Sequence, residues 1–204
     1  MRVTTQMLNE TARKAGLPIN NSTLLDYINN DSSADSMLNS INGSTSAATQ
    51  MLKAKVSKTG YENTDKSSED LQNAIDKLAG KKSTVFKDAR ESKDTSKVTA
   101  AAQELIDKYN SLVKVMSKMS SSLDEFYKKA LKGLPESIKE SLEKVGITYN
   151  SDGTLEVDSD KLKKADVDSL EKIFGSDSEF MKKLSFVTDR IESNAEANLQ
   201  SVSS

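Results

Sequence analysis

The chain has 204 residues, 29 basic and 31 acidic, with no Cys, His or Trp and only 35% hydrophobic and 5% aromatic content. Without His or Cys, the usual neutral-pH general base, the thiolate nucleophile, the disulfide and the thiolate metal site are all missing, and zinc held by carboxylates alone is unusual. So thin an apolar fraction argues against a deep substrate pocket and for layers of paired helices, each needing one apolar stripe.

In chain order, residues 1–16 read as a short helix with Met7, Leu8 and Ala12 on one face, stopped by Gly16-Leu17-Pro18. Residues 19–43 hold two short helical pieces. Ser22 caps the first, with Leu24, Leu25 and Ile28, and Ser33 caps the second, with Met37, Leu38 and Ile41. A weak helix over 45–56 carries Ala47, Ala48, Met51, Leu52 and Val56 and ends near Gly60. A stronger one runs from Ser67 to Ala79, with Leu71, Ala74, Ile75 and Leu78 at helical spacing before Gly80. Residues 80–95, rich in Lys, Asp and Ser, read as a solvated connection.

The strongest periodicity follows. Val98, Ala102, Leu105, Tyr109, Leu112, Met116, Met119, Leu123 and Phe126 alternate in steps of four and three, a heptad seam suited to a partner helix. Ile106, Val113 and Val115 widen the stripe and favour a bundle over a bare two-stranded coil. A core helix of a monomeric bundle fits the same spacing. Gly133-Leu134-Pro135 closes this region, and Glu136 to Val145 forms a short helix. Ile147-Thr148-Tyr149 and Leu155-Glu156-Val157 alternate around Asn150-Ser151-Asp152-Gly153-Thr154, which predicts a β-hairpin. The acids there do not match a calcium loop, so a turn followed by a helix cap at Asp158 or Ser159 is expected. Residues 159–174 form one helical segment with Leu162, Val167, Leu170, Ile173 and Phe174, ended by Gly175. The last helix, from about Ser178, carries Phe180, Leu184, Val187, Ile191, Ala195, Leu199 and Val202, a heptad pattern with one four-residue stutter. The expected fold is therefore mainly α, an elongated helical bundle or coiled coil with one small hairpin near residues 147–157. It divides into a weakly helical segment 1–60, a bundle 61–177 and a C-terminal coiled-coil helix 178–204.

No nucleotide loop, nucleophile elbow or metalloprotease motif occurs, and the sequence points to surfaces rather than to catalysis, a cofactor or a bound metal. Charges are mixed along the chain, so no basic patch argues for nucleic acid. No stretch approaches the ~18 apolar residues of a membrane span, and Met1 to Ala15 lack the apolar core of a Sec signal. The residues expected to pack helix on helix are Leu105, Tyr109, Leu112 and Met116 of the long helix, with Leu184, Val187 and Ile191 of the last.

Two segments carry a family resemblance. The opening Met1-Arg2-Val3-Thr4-Thr5-Gln6-Met7-Leu8 resembles that of bacterial flagellar hook–filament junction proteins. The second half is similar to the C-terminal helical part of the filament-capping protein, hook-associated protein 2. That likeness runs through Tyr109-Asn110-Ser111-Leu112, Val145-Gly146-Ile147-Thr148-Tyr149, Asp152-Gly153-Thr154-Leu155, Asp158 to Leu162, Leu170 to Phe174 and a terminal helix. The resemblance implies a non-enzymatic axial component of the flagellum, exported through the flagellar type III channel. Its partners would be other axial proteins, itself or an export chaperone. A cytoplasmic export chaperone or assembly regulator that binds partner helices is the alternative. The chain departs from the capping proteins in having no room, within residues 57–95, for their large β-rich head domains.

Overall fold

The computed structural model describes residues 47–202, with side chains over 58–201. The chain divides into two compact units, Met1–Lys53 and Ala54–Ser204, and all of the described side chains belong to the second. The helical pieces expected at 1–16 and 19–43 lie outside the described residues. The fold is mainly helical, with one two-stranded antiparallel sheet among the described residues.

Helix α1, Ala47–Ala79, is continuous where two helices separated near Gly60 were expected. A mid-helix Gly costs about 1 kcal/mol relative to Ala. At Gly60 the missing Cβ makes room for Met119, whose Sδ would lie 3.0 Å from it. Close packing thus overrides the stop signal. At the other end, the Gly80 amide closes the helix on Asp76 O at 3.0 Å.

The expected solvated connection contains a helix, α2, Val85–Ser92, with Phe86 and Ala89 buried. Lys93 follows in the left-handed conformation, φ 57°. Arg90 ties α2 to a later helix by donating to Asp168 at 2.8 Å and to Glu171. Those bonds, to Glu171 first and then Asp168, raise its guanidinium pKa further.

Helix α3, Ser96–Met116, carries most of the heptad seam, and there the seam breaks. The Ser117, Lys118 and Met119 amides bond back to Val113, Val115 and Met116, and a new helix, α4, spans Ser122–Glu136. Ser121 and Asp124 start it as a reciprocal capping box, the Asp124 amide donating to Ser121 Oγ at 3.1 Å. Gly133 and Pro135 fall inside its last turns rather than before a following helix. Helix α5, Lys139–Lys144, is accordingly shorter than the expected 136–145.

Strands β1, Ile147–Tyr149, and β2, Leu155–Val157, pair antiparallel in the register Ile147↔Val157, Thr148↔Glu156 and Tyr149↔Leu155. Asp158 then caps α6, Ser159–Lys164, accepting from the amides of Asp160 and Lys161 at 3.1 and 3.0 Å. The single segment expected over 159–174 is broken, because Ala165 turns extended and Asp166 caps a second helix, α7, Val167–Phe174. Helix α8, Glu179–Val202, runs without interruption through its stutter.

Cross-helix pairs fix the layout. Lys108 meets Asp70 at 2.9 Å and Lys77 meets Glu104 at 2.6 Å, so α1 and α3 run antiparallel. Gln72 donates to Ser185 at 2.9 Å, which sets α1 against α8. The apolar stripes of these helices, with Leu131 and Phe174, form one buried core from Leu71 to Ile191. A fully buried Leu contributes roughly 1.5–3 kcal/mol through its apolar area, so Leu71, Leu112 and Leu184 are principal sources of stability.

Candidate interaction surface

The positions expected to pack helix on helix lie mostly inside this core. Leu105, Leu112, Met116, Leu184 and Ile191 are buried, and Val187 is half-buried against them. They join α3 and α8 to the rest of the chain's own unit. Tyr109 is buried too, and its hydroxyl donates to Gly153 O at 2.9 Å, with Leu131 O at 3.4 Å. Burial pushes its phenol pKa far up, with smaller contributions from Tyr149 and Asp152.

Asn110, the next residue on α3, clamps the hairpin. Its Nδ2 donates to Leu155 O at 2.7 Å, and the Leu155 amide donates to its Oδ1 at 2.8 Å. One side-chain amide thereby satisfies both main-chain groups of Leu155, as a neighbouring strand would. Across the hairpin turn, the Thr154 amide and hydroxyl donate to Asp152 Oδ1 at 2.9 and 2.6 Å. These bonds draw the Asp152 carboxyl below its usual pKa. Asp152 and Asp158 are thus engaged in a turn and a helix cap.

What faces outward is different. Among the described residues, Leu123, Phe126 and Phe186 are the large apolar side chains most open to solvent, at 47%, 63% and 61% exposure. Phe126 stands edge-on to Tyr127, with ring centroids 5.5 Å apart. It also lines a surface groove of about 630 Å³ along α4 with Ser122, Lys129, Lys132 and Glu136. Arg190 lies over the Phe186 ring, 5.1 Å from its centroid. Phe126 and Phe186 thus each stand open to water beside long cationic side chains. A smaller crevice of about 280 Å³ between α3 and α6, walled by Ser96, Gln103, Ser159 and Lys163, gathers no chemically related groups.

The seam between α1 and α8 is polar for an interior. Buried Asp124, from α4, accepts from Tyr61 Oη at 3.2 Å, Ser121 Oγ at 2.6 Å and Asn194 Nδ2 at 2.9 Å. Further along, Asp65, Glu192 and Glu196 come together, their carboxylate oxygens within 4.8 Å of one another. Burial, then Asp65, Glu196, Asp189 and Glu69 in turn, raise the Glu192 carboxyl. The sequence does not announce this cluster, because Asp65 lies far along the chain from Glu192 and Glu196 and neither helix alone shows more than ordinary surface acids.

No helix among the described residues is long and apolar enough to cross a membrane. No family model matches this chain, and neither curated proteins nor solved structures yield a match to it.

Proposed function

We propose that this chain is a non-enzymatic structural or assembly protein of the bacterial flagellum, a short axial component akin to the hook-associated proteins, acting by helix–helix association outside the cell. One observation carries the proposal. The separate stretches that resemble the capping protein meet in space, Tyr109 and Asn110 of α3 bonding Gly153 and Leu155 of the hairpin. Residues far apart in a chain have no local reason to match a family pattern together. A shared tertiary clamp supplies one.

In this account the buried stripe of α3 and α8 holds the scaffold rigid, and the exposed faces at Phe126 and Phe186 make the contacts with neighbouring subunits. The expected location is extracellular, reached through the flagellar export channel. The test compares culture supernatant and sheared filaments from the native bacterium with those of a matched strain lacking a working export gate. Protein outside the first strain and absent outside the second supports an axial role. Protein retained inside both overturns it and favours a cytoplasmic chaperone or regulator using the same exposed faces.

A further inference from the structure

Helix α1 is held to the turn between α3 and α4 at two consecutive residues. Gly60 seats Met119: a Cβ on the glycine would lie 3.0 Å from Met119 Sδ and 3.5 Å from its Cε. Tyr61, next along, donates to Asp124 at 3.2 Å, the same carboxylate that starts α4 together with Ser121. Met119 belongs to neither α3 nor α4. Its amide bonds Met116 O at 3.1 Å, and its side chain packs at the edge of the core.

Its surroundings make this contact sensitive to oxidation. Among the described residues, Met116 and Met181 are sealed, at 0% and 1% exposure, whereas Met119 is half-buried. A thioether that water reaches is also reached by small peroxides, and its sulfoxide is polar where the thioether was apolar. The seat is backbone in the middle of a continuous helix, where each amide already donates to the carbonyl four residues back. Gly60 O likewise already accepts from Thr64 Oγ1 at 2.9 Å. A sulfoxide oxygen is a strong acceptor and finds no free donor there. To be hydrated it must leave the notch, and the fit of thioether to glycine is lost with it.

We propose that Met119 is a redox latch, whose oxidation to the sulfoxide releases α1 from the α3–α4 turn. The oxidant is a small peroxide. Its O–O bond breaks, one oxygen passes to the Met119 sulfur, and the other leaves in water; sulfur gives up two electrons and the peroxide takes them. Methionine sulfoxide reductases return the thioether at the expense of a thiol pair, so the latch can close again. Tyr61, Asp124 and the capping box adjoin the notch, so release loosens the start of α4, which carries the exposed Leu123 and Phe126. The latch depends on packing within this unit and not on the flagellar assignment.

The test treats the full chain with hydrogen peroxide and follows each methionine by peptide mass spectrometry. Met119 is expected to be oxidised at least about tenfold faster than Met116 and Met181, which only local unfolding exposes. Once Met119 is oxidised, the unfolding midpoint falls by about 3–5 °C. Amide hydrogen exchange quickens over residues 58–66 and 118–126 but not in the hairpin. Methionine sulfoxide reductases with dithiothreitol restore both. Met119→Leu keeps the apolar volume, so it folds like the wild type, yet it loses the response to peroxide. Oxidation of Met119 no faster than that of Met116 and Met181, an unchanged midpoint, exchange that quickens throughout the unit, or an equal loss in Met119→Leu would each overturn the proposal.

Discussion

Replacing Asn110 tests the clamp on which the proposed function rests. Asn110→Ala removes two hydrogen bonds of 2.7 and 2.8 Å and leaves the amide and carbonyl of buried Leu155 without a partner. Each bond contributes about 0.5–1.5 kcal/mol, and orphaning a buried group costs about 1–3 kcal/mol when water cannot reach it. Taking water access into account, the expected loss is about 3 kcal/mol. For a unit of this size that lowers the midpoint by roughly 6–12 °C, read by far-ultraviolet circular dichroism. Asn110→Asp separates the two bonds. Its carboxylate still accepts from the Leu155 amide but faces the Leu155 carbonyl, so it repels at neutral pH and donates once protonated. The folded state then holds the proton more tightly than the unfolded chain, and the variant should gain stability as pH falls through the carboxylate range. If Asn110→Ala unfolded within about 0.5 kcal/mol of the wild type, the clamp would be incidental and would no longer support the proposed function.

The remaining predictions use other parts of the unit. Tyr109→Phe should destabilise by about 1–2 kcal/mol, since Gly153 O loses its donor. Because Tyr109 holds its proton well above the ordinary 10.0, wild-type stability should fall as pH rises past about 10, where the unfolded phenol ionises. The variant should fall less steeply in alkaline denaturation. Gly146 has φ +85°, and a Cβ there would lie 2.6 Å from Lys161 Cβ, so Gly146→Ala should cost at least about 1–3 kcal/mol in urea unfolding. Leu112→Asp or Leu184→Asp buries an unpaired charge and should abolish cooperative melting. Phe126→Ser and Phe186→Ser should leave the midpoint within about 1 °C of the wild type yet reduce incorporation into sheared filaments. Normal incorporation of the double variant would remove those faces from the proposed function.

Local chemistry was legible wherever it decided the structure by itself. The hairpin, its Asp152-Gly153 turn, the Asp158 cap and the Gly175 stop all follow from residues within a few positions of one another. Elements decided from afar were not. Helix α2 looks solvated because its neighbourhood is polar, but Phe86 and Ala89 are anchored by the core and Arg90 by α7. Gly60 reads as a stop until Met119 is packed against it. Nothing in either helix alone announces that Asp65 will meet Glu192.

The end of the heptad seam is the most instructive miss, because the pattern continues after the helix does not. Met119 keeps its place beside the core, but the turn around Ser117–Ser121 restarts the helix about one residue out of phase. Helix α4 therefore turns Asp124, Tyr127, Leu131 and Leu134 inward, where the seam would have used Leu123 and Phe126. One residue is about 100° of helix rotation, enough to carry an apolar pair from interior to solvent. Period alone cannot register that slip. The capping box can, since Ser121 and Asp124 together specify where the new helix begins and hence which residues it turns inward. The slip leaves Phe126 outside, and it turns a residue that spacing assigns to the core into one free to touch another molecule.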